Sequence, residues 1–305
     1  MASERLISVY AQKIGTTDIG RPIDASYRAT RQKIESRSDG TLGPHGRDRG
    51  PWAISCSLGC EDPTAVPTVL ALSYPLAVEA AGRLVNAGAY RKFAVAHGVL
   101  TGFALNLAEL AAGDVRFDLQ NQGLNASTAL SDELTVAAGS APPGTSRHGT
   151  IRFAKTGHSF TPDGGDAVTI PGITRLSYTA RADVRAGADT GSAVIDELDI
   201  FGWLISGSLT FGDMSITSEL SLAEYLATLC TGTLVVQLAL TGKTTDQTPP
   251  TDKVFTFARI KFDDPDERLT SRQEGVATAN FDALLLDAEG AEMTIAQMIT
   301  CEDLA

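Results

Sequence analysis

Residues able to do chemistry are present in this chain, but their spacing does not arrange them for it. Thr241-Gly-Lys-Thr-Thr245 has the ending of a phosphate-binding loop, whose glycine-rich backbone cradles phosphates with its amides. Gln237 stands where the first glycine of that loop belongs, and Pro249-Pro250 follows in place of a helix, so the cradle is missing. Cys56 and Cys60 share parity on a predicted strand, which puts them on one face yet too far apart to chelate one ion. His45, His97, His148 and His158 are scattered without paired spacing, and Cys230 and Cys301 stand alone, so packing and surface roles are expected of them. The run Asp263-Asp264-Pro-Asp266-Glu267 lacks the glycine and the alternating ligands of a calcium loop and reads as a solvated turn. No Gly-x-Ser-x-Gly elbow occurs. We therefore assign no catalytic, cofactor-binding or metal-binding residue, expect no cofactor, and expect a protein that is not an enzyme.

The elements that carry these residues belong to a chain of 305 residues, long enough for two domains. Hydrophobic residues make up 43% and charged residues 20%, a globular composition. The formal charge of −12 disfavours a surface that grips nucleic acid, because phosphate binding is driven by cationic side chains displacing counterions. No window approaches a membrane span, and Glu4, Arg5, Lys13, Asp18 and Arg21 interrupt the start, so neither membrane insertion nor a signal peptide is expected. Four cysteines are too few for a disulfide scaffold, and reduced thiols are expected. Asn125-Ala-Ser127 fits a glycosylation sequon but has no secretory signal beside it.

An internal repeat appears when the two tryptophans are superimposed. Trp52-Ala-Ile-Ser-Cys-Ser-Leu58 and Trp203-Leu-Ile-Ser-Gly-Ser-Leu209 agree at five of seven positions, half a chain apart. Both alternate as strands, and each precedes an acidic turn, Glu61-Asp62 or Asp213. A helix is expected after each. In the second copy Ser221 and Glu224 have capping-box spacing ahead of Leu222, Leu226 and Leu229, with Gly232 as the stop. In the first, Pro75 opens a helix with Leu76, Ala80 and Leu84 on one face, and Gly88 stops it. Strands are expected over 93–105 and 115–119, then over 234–240, 254–262 and 276–286, with Phe117-Asp118 matching Phe281-Asp282. Residues 34–50 and 124–165 read as loops or linkers. The expectation is a mainly β protein with one short helix per domain, divided into residues 1–165 and 166–305.

The tryptophan strand, the single amphipathic helix and the closing strands ending on Asn280-Phe281-Asp282-Ala283-Leu284 resemble the tail tube proteins of long-tailed bacteriophages. The resemblance covers both halves and is strongest over 201–286. It implies two tandem β-sandwich or barrel domains whose sheets join those of neighbouring copies around a hollow lumen, the rings stacking into a tube. A duplicated chain would build a pseudo-hexameric ring from a trimer. The partners implied are the chain itself, other tail proteins, and genomic DNA passing without specific binding; the location implied is the virion tail, assembled in the host cytoplasm. Arg28, Arg31, Lys33, Arg37, Arg47 and Arg49 read as a mobile arm for an acidic neighbouring ring, and the net negative charge as an acidic lumen that does not retain DNA. Two other readings remain open from the residues: a ring or hub protein at the distal end of a tail, and a carbohydrate-binding β-sandwich, which would want more exposed aromatics than two Trp and six Tyr supply.

Overall fold

A computed structural model describes residues 2–36, 46–85, 89–109, 111–123, 129–140, 150–154, 156–188, 192–212, 222–241, 252–263 and 276–303. The chain is mainly antiparallel β. The first half holds β1 (Ala2–Ile14), β2 (Thr17–Asp18), β3 (Pro22–Ser36), β4 (Gly46–Cys60), helix α1 (Ala65–Leu70), β5 (Leu76–Leu84), β6 (Tyr90–Ala108), β7 (Ala111–Asn121), the short α2 (Leu130–Glu133) and β8 (Leu134–Ala138). There follow β9 (Thr150–Phe153), β10 (Ser159–Pro162), β11 (Val168–Thr169), β12 (Ile173–Gly187), β13 (Glu197–Gly212), α3 (Leu222–Thr228), β14 (Gly232–Thr241), β15 (Lys253–Phe262), β16 (Val276–Ala283), a 3₁₀ turn (Ile295–Gln297) and β17 (Ile299–Asp303).

Two-residue alternation makes the strands. On β7, Val115, Phe117 and Leu119 are buried while Arg116 and Asp118 face solvent; on β14, Leu234, Val236 and Leu238 point inward. The buried faces form one apolar cluster running through both halves, with Phe93, Phe103 and Phe117 from the first half and Phe255, Phe257, Phe262 and Phe281 from the second. Phe103 stacks on Tyr178 at 5.9 Å, and Tyr178 also meets Phe257 at 5.2 Å, so aromatic contacts cross from one half to the other.

The pairings of the first half recur in the second with the same register. Tyr27 faces Cys56 and Ala29 faces Ile54 in the β3–β4 hairpin; Tyr178 faces Gly207 and Ala180 faces Ile205 in the β12–β13 hairpin. Ser57 meets Asp118 across β4–β7, and Ser208 meets Asn280 across β13–β16. Val78 meets Val95 beside a bulge in β5–β6, and Leu234 meets Phe257 beside the matching bulge in β14–β15. Leu100 opposite Leu119 corresponds to Phe262 opposite Phe281. Phe281 thus takes the place of Leu119, and the Phe117 match expected from sequence is displaced by two residues along the strand. Gly207 replaces Cys56 because a Cβ there would lie 2.3 Å from the Phe281 ring. β8 on β6 is repeated by β17 on β15, and the β1–β2 hairpin by β10–β11.

Several expected elements differ. The helix expected over 75–88 is strand β5, and the first helix is instead α1, entered where Asp62 Oδ1 accepts from the Thr64 backbone (3.1 Å) and hydroxyl (2.6 Å). A spacing of four satisfies a period of two as well as a helical one, and Val78 fills the gap between Leu76 and Ala80. With β1 and β6 on its two edges, β5 has its backbone hydrogen bonds in the sheet. The expected loop at 34–50 is paired strand up to Ser36 and again from Gly46, and the expected mobile arm is part of that hairpin: Lys33 faces Arg49 and Glu35 faces Arg47. The Arg31 guanidinium lies 5.3 Å from the Trp52 ring centre, and its Nε donates to Gly50 O at 2.9 Å. The expected linker at 124–165 contains α2, β8, β9 and β10, and β9 and β10 both pair with β14 of the second half. Arg37, Asp213, Ser221, Asn125 and Ser127 lie outside the described residues.

Candidate functional site

Backbone pairing between the halves makes the most distinctive site. In the first half, β1, β3, β4, β7, β6 and β5 pair in turn and close on themselves, β5 returning to β1. β6 is long enough at 19 residues to do more. Its far end pairs simultaneously with β7 and with β12, where Gly102 faces Arg181, Leu105 faces Tyr178 and Ala108 faces Arg175. Gly102 suits this double approach: a Cβ there would sit 3.3 Å from Ala180 O. The result is one sheet running β3–β4–β7–β6–β12–β13–β16–β15, four strands from each half in the same sequence of roles.

The outer edge of β12 is therefore filled by β6. The corresponding edge of β3 is filled by the start of β1, with Glu4 facing Tyr27 and Ile7 facing Asp24. Asp24, only 8% exposed, anchors that region: Arg5 Nη2 reaches it at 2.8 Å and Arg116 Nη2 at 3.3 Å, while Gln12 Nε2 donates to its carbonyl at 2.7 Å. A second junction lies beside Trp52, whose amide donates to Ala193 O (2.9 Å) and whose carbonyl accepts from Ile195 N (3.0 Å). Asn121, fully buried, completes it by accepting from Ile54 N at 2.7 Å and donating to Ile195 O at 3.2 Å.

Around the join the solvent face of the continuous sheet is mostly polar, with Leu204, opposite Arg181, standing on it as a large exposed apolar side chain. Ser26, Ser55, Ser57, Thr179, Ser206 and Asn280 alternate with the buried residues of their strands. An open cleft of about 570 Å³ lies over this face where β3, β4, β7, β6 and β12 meet. Its charges are mixed: Arg28 and Arg181 stand with Asp118 in the lining, and Asp183 and Asp282 lie farther along the same face.

The residues weighed for chemistry disperse. Cys56 and Cys60 are buried in the core, where desolvation pushes both thiols up to about 12, and all four cysteines are free. His97 Nδ1 lies 3.1 Å from both oxygens of the buried Glu133. His158 accepts from Gln237 N through Nδ1 at 3.2 Å and donates through Nε2 to Ala154 O at 2.9 Å. Thr241 ends β14; residues 242–245, His45, His148 and 264–267 lie outside the described residues. Among the described residues no three His, Cys, Asp or Glu side chains group to hold a metal. The β6–β12 join was not legible in the sequence. Ser26-Tyr27 and Ser177-Tyr178 repeat ahead of the two tryptophan strands and could have identified both hairpins. No family model matches the chain, and no curated protein matches it.

Proposed function

We propose that this chain is a structural subunit that assembles with copies of itself into stacked rings, in the manner of a phage tail tube. The observation that carries the reading is the β6–β12 join. Two similarly paired halves already share one sheet through a strand edge, which is the kind of contact that a ring of such units repeats. On this reading the units divide between β8 and β9, at 139–149 rather than at 165, and three chains supply six units to a pseudo-hexameric ring. The polar face of the continuous sheet lines the lumen. Its hydroxyls, amides and mutually offsetting Arg and Asp side chains give DNA no cationic track on which to bind. Other tail proteins cap the tube, and the virion tail is its location. A terminal ring or hub uses the same contacts. The carbohydrate-binding reading gains nothing from the cleft, whose aromatic residues Tyr27 and Phe103 are both buried.

Electron microscopy of the purified chain at rising concentration tests the proposal. Threefold rings, or tubes with a lumen wide enough for duplex DNA, are the expected result. A monomer at every concentration overturns it.

A further inference from the structure

Beyond the end of its pairing with β7 at Ser55, β4 has β3 on one side and, among the described residues, no strand of its own half on the other. The chain covers that edge with residues 193–195, from the connection of the β12–β13 hairpin, which bridge to Trp52 and bury Val194 completely. The second half has the same edge. Beyond the end of its pairing with β16 at Ser206, β13 has only β12 beside it, and Trp203 occupies the place of Trp52. Among the described residues nothing pairs with this second edge. It is also unusually apolar for a surface: Leu204 is 74% exposed, Phe201 66% and Ile200 40%, with Leu284 close after the end of β16 at 48%. An open strand edge combined with large exposed hydrophobic side chains is a docking surface unless covered.

We infer that the β13 edge from Ile200 to Leu204 docks a second copy of this chain. The first half of that copy covers the edge as the second half of the same chain covers Trp52. The hairpin that does the covering within the chain, β12–β13, has its register counterpart in β3–β4 of the first half, whose connection at 37–45 lies outside the described residues. A contact between unlike surfaces of identical chains is head-to-tail, and it closes into a ring or continues as a filament according to the rotation between copies. The inference rests on the self-assembly proposed above and assigns its interface.

Sedimentation velocity of the full chain over a concentration series separates the two. The native protein is expected to associate. Leu204→Arg and Phe201→Asp, both at exposed positions and so compatible with folding, are expected to move association to concentrations about tenfold higher or more, the effect of losing one buried apolar side chain. Val85→Arg, at a 47% exposed valine on the β5–β6 turn, is expected to leave association unchanged, and far-ultraviolet circular dichroism to show the same strand signature in all. If the native chain associates and the β13 variants associate equally, or if Val85→Arg weakens association as much as they do, the interface is elsewhere and self-assembly stands. If the native chain is monomeric throughout, the self-assembly reading falls and the interface with it.

Discussion

Tyr27 and Tyr178 stand at matching places in the two hairpins and are both buried, yet different strands lie beside them. Tyr27 stands opposite Glu4 on β1, the strand that covers the β3 edge, and burial together with the Glu4 charge raises its phenol pKa. Tyr178 faces β6 instead, is surrounded by Phe103, Phe257 and Phe281, and its hydroxyl has no hydrogen-bond partner among the described residues. Burial pushes its phenol far up from the ordinary value. A buried hydroxyl without a partner carries a desolvation cost that its removal relieves. Tyr178→Phe is therefore expected to leave stability unchanged or raise it by up to about 1 kcal/mol. The urea unfolding midpoint of this variant against the native chain checks this.

At the scale of elements, β10 is held to β14 by four backbone pairs and by the side chain of His158. Accepting from Gln237 N while donating to Ala154 O requires the neutral ring. Burial lowers the His158 pKa below 6.5, opposed by the bond to Ala154. The unfolded chain then binds the proton more readily than the folded one. The contribution of His158 to stability is complete above pH 6.5 and is lost as pH falls from there through the lower folded value. The native protein is expected to lose stability between pH 7 and pH 5, and His158→Gln to lose less over the same interval, measured by urea titration at each pH. The strand reading of β7, β14 and β15 was legible because their apolar residues alternate without a competing period. That of β5 was not, because Leu76, Ala80 and Leu84 fit both periods and the sheet partners that decide between them are remote in sequence.

Across the whole molecule, the two halves are alike in pairing but unequal in self-sufficiency. The first closes its own ring of strands, whereas β12 depends on β6 for its outer edge and Tyr178 depends on Phe103 for part of its packing. Expressed separately, residues 1–140 are expected to remain soluble and unfold cooperatively. Residues 150–305 are expected to associate through the uncovered β12 edge. Circular dichroism and sedimentation of the two fragments decide this, and a soluble, monomeric second fragment would show that the join is dispensable.

The sequence by itself determined the β-rich class, the repeat anchored on Trp52 and Trp203, and the strands whose side chains alternate cleanly, because each of these is written in local spacing. It also carried the Ser-Tyr pair that marks both hairpins. Only the tertiary structure decided which edge meets which: that β6 crosses to β12, that β1 takes the equivalent place on β3, and that residues 193–195 cover Trp52 while nothing among the described residues pairs with the edge at Trp203. Strand pairing is made by backbone groups that every residue shares. Two edges with the same local pattern can therefore acquire different partners, and the difference lies in the path of the chain.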